Sequence, residues 1–283
     1  MVRMITVAIN PYDKPFNFPD IYSPDSTAYF FRSLRIANAK DLIIDHKDFL
    51  NDEIMRFVRE TIDEDRGIVQ KKSFSGMRDY AITESSCYDM IMACMLDEEI
   101  RKMNVMCGKE TLKNPLKKFS LKKNLIKYYW NGKYFKDALH DQRITGHSNI
   151  YPYWLGIIED KRMLNSSIKH IHSAVLERPI PLKYEHKPLA VKKEFIWQEI
   201  FVKGWEHDTV WSMLGMAYID VLLKYDKKMA GYGMKSYKKA IEDNKAFVEV
   251  YTKDCVPYRS LFYTADTSML WACMYLDLKK RLK

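Results

Sequence analysis

Residues 87–96, CYDMIMACML, are apolar on nearly every side of a helix. Most of 150–158 (IYPYWLGII) shares that character, and Val210, Trp211, Leu214, Tyr218, Val221 and Leu222 recur at i, i+3, i+4 spacing along 210–225. Residues 269–278 (MLWACMYLDL) repeat it near the C-terminus. Between these lie segments with one wet face: 116–129, 161–176 and 235–247. A helix apolar on all sides must be covered on all sides, whereas an amphipathic helix can be the cover. The alternation therefore predicts inner and outer layers of helices. Hairpins alternating in this way build a double-layered helical toroid whose inner helices line a central core or pit. An open solenoid of helix pairs would alternate similarly, but no segment repeats at a fixed period.

Composition excludes several other architectures. Only 10 of 283 residues are glycine, and glycine supplies both the positive-φ turns of hairpin-rich β proteins and the close backbone approach to phosphates. Neither G-x-G-x-x-G nor G-x-x-x-x-G-K-[ST] occurs, so nucleotide chemistry on those platforms is disfavoured. The nearest match, Gly231-Tyr-Gly233, reads as a turn between helices. No apolar run reaches the ~20 residues of a membrane-spanning helix, and residues 4–9 are too short for a signal-peptide core. The expectation is a cytoplasmic protein of one domain, 1–283, with 1–23 as an irregular N-terminal segment. Five cysteines, at 87, 94, 107, 255 and 273, form no C-x-x-C and read as reduced, buried thiols.

The formal charge is +9. Lysines at 113, 117, 118, 122, 123 and 127 alternate with Leu116, Phe119, Leu125, Ile126 and Tyr129, the pattern of a helix with a solvated basic face. They are not interleaved with the exposed aromatic platform that single-stranded nucleic acid requires, which disfavours nucleic acid as a partner.

Helical periodicity appears in nine segments, 26–45, 48–61, 85–104, 115–129, 147–158, 161–176, 207–225, 232–246 and 263–282. The connections 74–84, 130–149, 195–209 and 247–263 gather aromatics, acids and histidine, with short hairpins expected around 67–74, 130–135 and 247–259. Loops on one rim of a rigid scaffold are where chemistry is usually placed.

Seven histidines prompt a test for metal, but H-E-x-x-H is lacking and His170-x-His172 would diverge around a helix, so no metal and no cofactor are expected. No G-x-S-x-G supports a serine nucleophile. Carboxylates beside aromatics are more informative. Residues 75–79 read SGMRD just before an apolar helix, 195–211 read FIWQEIFVKGWEHDTVW, and 247–251 read FVEVY around Glu249. A sugar site needs this mixture: aromatic faces against pyranose C–H groups, polar groups for hydroxyls, and two carboxyl groups for acid and base work.

Taken in order, PDST at 24–27, GIV at 67–69, MRD at 77–79, ITGHSNIYPYWLGII at 144–158, ERPIP at 177–181, HDTVW at 207–211, FVEVY at 247–251 and ADTSMLW at 265–271 resemble the six-hairpin glycosidases. These are the (α/α)6 toroids that include glucoamylase-like enzymes and the glucosidase domain of glycogen debranching enzymes. The resemblance implies an all-α toroid that hydrolyses an α-glucosidic or related bond in an oligosaccharide or small glycoside by inversion. Asp79 would be the general acid and Glu249 the general base, with Glu199 and Glu206 as alternative acids because Arg78 beside Asp79 would favour a structural ion pair. Arg78, Trp205, His207, Asp208, Trp211 and Tyr263 would bind substrate. Six hairpins need twelve helices against the nine segments found, so the implied toroid is incomplete or has irregular segments in place of helices. Cys255 stands where a turn glycine is expected. Three alternatives remain open at this level: a sugar epimerase or isomerase on the same scaffold, a non-catalytic carbohydrate-binding toroid, and a basic nucleic-acid- or protein-binding helical array that would use the lysine faces at 113–127 and 235–245.

Overall fold

A computed structural model describes residues 22–72, 74, 77–78, 83–108, 110–185, 202–261 and 263–282. Most of residues 1–23, and with them most of the irregular N-terminal segment expected there, lie outside it, as do Asp79, Trp197 and Glu199. The described chain is mostly helical, with ladders of two to four residues. Its contacts group into two compact units, one of residues 1–130 and 137–141, the other of 131–136 and 142–283.

The first unit is built around α4 (Cys87–Cys107). The Ser86 hydroxyl accepts the Asp89 N–H at the helix start, and Gly108 at φ 70° ends it. Every residue from Cys87 to Leu96 is buried, as the all-round apolar sequence requires. The cover comes from α1 (Pro24–Ile36), α2 (Lys40–Asp45) and α5 (Leu121–Tyr129). Helix α5 seats Leu121, Leu125 and Tyr129, one stripe at i, i+4, i+8, and leaves Lys122, Lys123 and Lys127 in solvent. Helix α3 (Lys47–Thr61) does the same with Leu50, Ile54, Phe57 and Val58, packing on α1.

Two expected helices are broken. The segment 26–45 divides at Asn38, φ 51°, and 115–129 divides into a 3-10 turn, Pro115–Phe119, and α5 at Ser120, φ 50°. Left-handed backbone at one residue interrupts the hydrogen-bond ladder while the apolar periodicity runs on, so periodicity alone does not reveal it. Strands β1 (Ile62–Asp63) and β2 (Ile68–Val69) pair antiparallel, Ile62 with Val69, slightly before the hairpin expected at 67–74.

Buried carboxyl groups mark the interior of this unit. Asp89 accepts the Ser86 hydroxyl at 2.6 Å, and burial together with the charges of Asp25 and Asp137 pushes its carboxyl up to about 7. Asp25 is likewise raised by burial, against hydrogen bonds from Ser23 and Tyr88.

The short strands β3 (Lys136–Ala138) and β4 (Asp141–Ile144) come later in the chain than the hairpin expected at 130–135. The second unit packs α6 (Gly146–Trp154) against α8 (Ser212–Tyr225), two helices buried along nearly their whole length. Amphipathic α7 (Lys161–Ser173) lies on α6, and α9 (Lys227–Asn244) on α8. Fully burying one Leu- or Val-sized side chain contributes ~1.5–3 kcal/mol, so α8, with Leu214, Met216, Ile219, Val221 and Leu222 enclosed, anchors this unit.

Gly231 and Gly233 lie inside α9 rather than in a turn, which corrects the sequence expectation. Gly233 is there for packing: a Cβ on it would stand 2.9 Å from Ile219 Cγ1 of α8. A second correction concerns the C-terminus. Helix α10 covers only Ala272–Arg281, buries Tyr275 and Leu278 against α8, and leaves Leu276 exposed, with Leu270 just before it 83% exposed. Its apolar residues are therefore not the enclosed core that their density suggests. Cys87 and Cys94 are buried thiols as expected, but Cys273 is exposed. None of the helices among the described residues is long and apolar enough to cross a membrane.

Candidate functional site

The candidate residues that the structure brings together lie within the second unit, where β-branched and aromatic residues draw short extended segments together ahead of α6 and α8. Strand β5 (Val210–Trp211) pairs antiparallel with β6 (Val250–Tyr251). Around this ladder, Lys183 bridges Val210, the Trp211 N–H reaches Leu182 O at 3.1 Å, and the Glu185 N–H reaches His207 O at 3.3 Å. The first five residues of the helix expected at 207–225 are thus non-helical, because their backbone groups pair sideways with 182–185 and 249–251. On the other flank, the Tyr258 N–H bonds Val250 O and the Ala265 N–H bonds Tyr258 O, both at 2.9 Å. Tyr251 also bridges Pro257 across a tight turn, the hairpin expected at 247–259, with Cys255 at φ 58° in the place of the missing glycine. The two helices are tied to this patch at their first residues. The Ser212 N–H of α8 bonds Glu249 O at 3.0 Å, and the Gly146 N–H of α6 bonds Tyr184 O at 2.8 Å.

Glu249 is the half-buried carboxylate between buried Val248 and Val250. It accepts a short hydrogen bond from the Tyr263 hydroxyl and another, at 3.2 Å, from the Asp266 N–H. Burial and the neighbouring Glu249 charge push the Tyr263 phenol far up, so it stays a donor through the neutral range. Tyr263 packs on Trp205 at 5.0 Å between ring centroids, and Trp205 packs on Trp211 at 5.1 Å. Trp211 continues to Tyr184 at 5.4 Å, and Tyr184 to His147 at 5.4 Å. The aromatics expected to cover a sugar are therefore found together, but Trp205 and Trp211 pack on one another and on neighbouring rings, and both are buried. Tyr251 is fully enclosed core rather than rim.

Charged groups line the same extended segments. The Lys183 ammonium donates to Asp208 at 2.5 Å, with Lys183 buried and Asp208 partly open. Glu185 accepts from Arg143 at 2.6 Å through one oxygen and bonds His207 Nδ1 at 2.5 Å through the other. Glu206 is buried between Trp205 and His207 in the chain.

Of the residues expected from sequence, Glu249, Glu206, Trp205, His207, Asp208, Trp211 and Tyr263 all fall in this region. Arg78 belongs to the first unit, where it is buried and stands 3.8 Å from Asp137. Asp79 and Glu199 lie outside the described residues. Sequence reading missed Arg143, Lys183 and Glu185. The signal for two of them was available: 182–185 reads LKYE, with charged residues alternating with apolar ones at the period of a strand. Among the described residues, groups of three or more His, Cys, Asp or Glu fit to hold a metal ion are absent.

No protein-family model matches the chain, and no curated protein sequence matches it. Solved structures do. A rhamnosidase from Klebsiella oxytoca with rhamnose bound is similar over 92% of this chain at 11% identity, with a TM-score of 0.60. A structure titled sialidase is similar over 76% of this chain at 13% identity, with a TM-score of 0.55. This chain spans 48% of the first protein and 22% of the second. The chain thus has a largely helical fold similar to that of part of the rhamnosidase.

Proposed function

We propose that the chain is a glycosidase-like protein that hydrolyses a glycosidic bond by direct displacement with inversion, using no cofactor. The observation that carries this reading is Glu249: a half-open carboxylate held by the Tyr263 hydroxyl beside Trp205, at a rim built by the loops that enter α6 and α8. The similarity of fold to proteins titled rhamnosidase and sialidase supports a sugar as ligand.

In this mechanism Glu249 takes a proton from a water molecule whose oxygen attacks the anomeric carbon. A carboxylic acid on the opposite face donates its proton to the leaving glycosidic oxygen. Tyr263 keeps the Glu249 carboxylate oriented and supplies a hydrogen bond to its charged form. The acid is Asp79 by resemblance to debranching enzymes, with Glu206 and Glu199 as the alternatives; Glu206 shares the unit of Glu249. Arg78, Trp205, Trp211, His207 and Asp208 are assigned to binding the sugar, and an α-glucosidic or related bond in an oligosaccharide or small glycoside is the proposed target.

A second reading, a sugar epimerase or isomerase, draws on the buried Glu185–His207 pair, an arrangement able to move protons. The two separate experimentally. Release of reducing sugar from aryl α-glucosides and aryl α-rhamnosides should fall ~10²–10⁴-fold in Glu249→Gln, the range that acid/base groups contribute. Exchange at C1 or C2 of a free sugar without any bond cleavage would favour the epimerase instead.

A further inference from the structure

We propose that a groove beside α7 and the end of α8 is a docking site for a second copy of this chain, which enters it with the acidic, apolar face of its α2 and α3. The groove lies within the second unit and has a volume of about 350 Å³. Ile168 of α7, Tyr225 at the end of α8 and Met229 at the start of α9 supply its apolar lining, and Asn165, Lys169 and His172 supply its polar edge. The α7 residues recur at i, i+3, i+4, i+7, so one face of that helix forms a continuous wall. Tyr225 is 39% exposed, a large ring left open beside this concave surface.

The charge around the groove has one sign. Helix α7 carries no acid, and Lys161, Arg162 and Lys169 are exposed on it. Lys224, Lys227 and Lys228 are exposed beside Tyr225 and Met229. The carboxylates of these segments are already engaged: Asp226 caps α9, Asp220 binds Arg281 at 2.6 Å, and Glu177 bonds His172 Nδ1 at 2.7 Å. A complementary occupant therefore brings an apolar side chain flanked by carboxylates. Pairing of two grooves is opposed, because lysines would face lysines.

The first unit displays the required combination. Leu42 of α2 is 53% exposed, with Asp41 beside it and Asp45 one turn on. Met55 of α3 is 48% exposed and follows exposed Asp48 and Asp52 on one helix face at i, i+4, i+7. These four aspartates outnumber Lys40 and Lys47, the first residues of the two helices, on a chain whose formal charge is +9. Groove and face are different surfaces, so the contact is heterologous and each copy can engage two others. Rim charge pairs are individually weak and are screened by salt, so association builds with concentration and fades with ionic strength.

Sedimentation velocity on the full chain tests this, from about 5 to about 500 µM protein in about 20 mM NaCl and again in about 500 mM, where screening is far stronger. The sedimentation coefficient should rise with concentration at low salt, and the association should weaken at least ~10-fold at high salt. Asp41→Lys with Asp45→Lys reverses the face, and Lys169→Glu with Lys228→Glu reverses the groove. All four positions are exposed, and circular dichroism verifies that both variants are folded. Each variant alone should be monomeric, while an equal mixture of the two should associate, since each surface again meets its opposite charge. Both keep a net positive formal charge, because each pair of substitutions changes the +9 of the chain by only four, so general attraction would not mimic that result. A wild-type coefficient independent of concentration would overturn the proposal and leave the groove to a different protein. Self-association of either variant alone at wild-type strength, or a mixture that stays monomeric, would overturn it as well.

Discussion

At the scale of single residues, Asp89 governs how the first unit responds to pH. Its carboxyl is raised from 3.8 to about 7 by burial and by the charges of Asp25 and Asp137. Between those two values the folded chain holds a proton that the unfolded chain has released, so stability falls as pH rises from about 4 to about 7 and levels above it. At 1.36 kcal/mol per unit the loss is on the order of 4 kcal/mol. Asp89→Asn, which stays neutral and can still accept from Ser86, should flatten that slope in urea titrations at pH 4.5 and 8 and be at least as stable as the wild type at pH 8. A variant that kept the full slope would move the effect to another group. Cys255 offers a second test: at φ 58° its Cβ is strained. Cys255→Gly should stabilise the chain by about 0.5 kcal/mol, the relief of strain exceeding the added flexibility of the unfolded state. The need for a turn there was legible from the sequence around Lys253–Val256, as was the pairing of Glu249 with aromatic neighbours. The Arg143–Glu185–His207 chain was not, because it joins residues 42 and 22 positions apart through strand pairing that no local pattern announces.

At the scale of elements, the distinction between enclosed and covering helices was readable wherever apolar density extended around the full turn. It identified α4, α6 and α8 as core and α5, α7 and α9 as cover. It failed at α10, where density was high but the helix has α8 as its only substantial helical neighbour among the described residues. It also failed at single left-handed residues, which leave periodicity untouched. Glycines inside helices show which approaches are tight. A Cβ on Gly215 of α8 would overlap the Tyr237 hydroxyl and Pro181 O, whereas one on Gly231 of α9 meets no atom within 4 Å. Gly215→Ala should therefore cost about 1–3 kcal/mol through overpacking, and Gly231→Ala should gain up to ~1 kcal/mol from helix propensity. Urea denaturation of the two variants should move in opposite directions. Equal shifts would mean that α8 does not pack on Pro181 as described.

At the scale of the molecule, the helical class was reached from the alternation of enclosed and amphipathic helices, and the fold likeness to part of a rhamnosidase agrees with it at a coarse level; the sugar-directed chemistry, reached from the order of segments, is a proposal. The proposed role of Glu249 as base requires a partner acid, and an acid is defined by what it faces in space. Glu206 stands in the same unit as Glu249, whereas the resemblance implies Asp79. Glu206→Gln and Asp79→Asn separate the two: the true acid should lose ~10²–10⁴-fold in turnover of a poor leaving group such as a methyl glycoside and much less with an activated aryl glycoside. The most direct test of the central claim is the 1H NMR spectrum of the first sugar released from an aryl α-glycoside. Initial formation of the β-anomer by the wild type, abolished in Glu249→Gln, is the predicted result. Initial formation of the α-anomer, or an unchanged rate in Glu249→Gln, would contradict it.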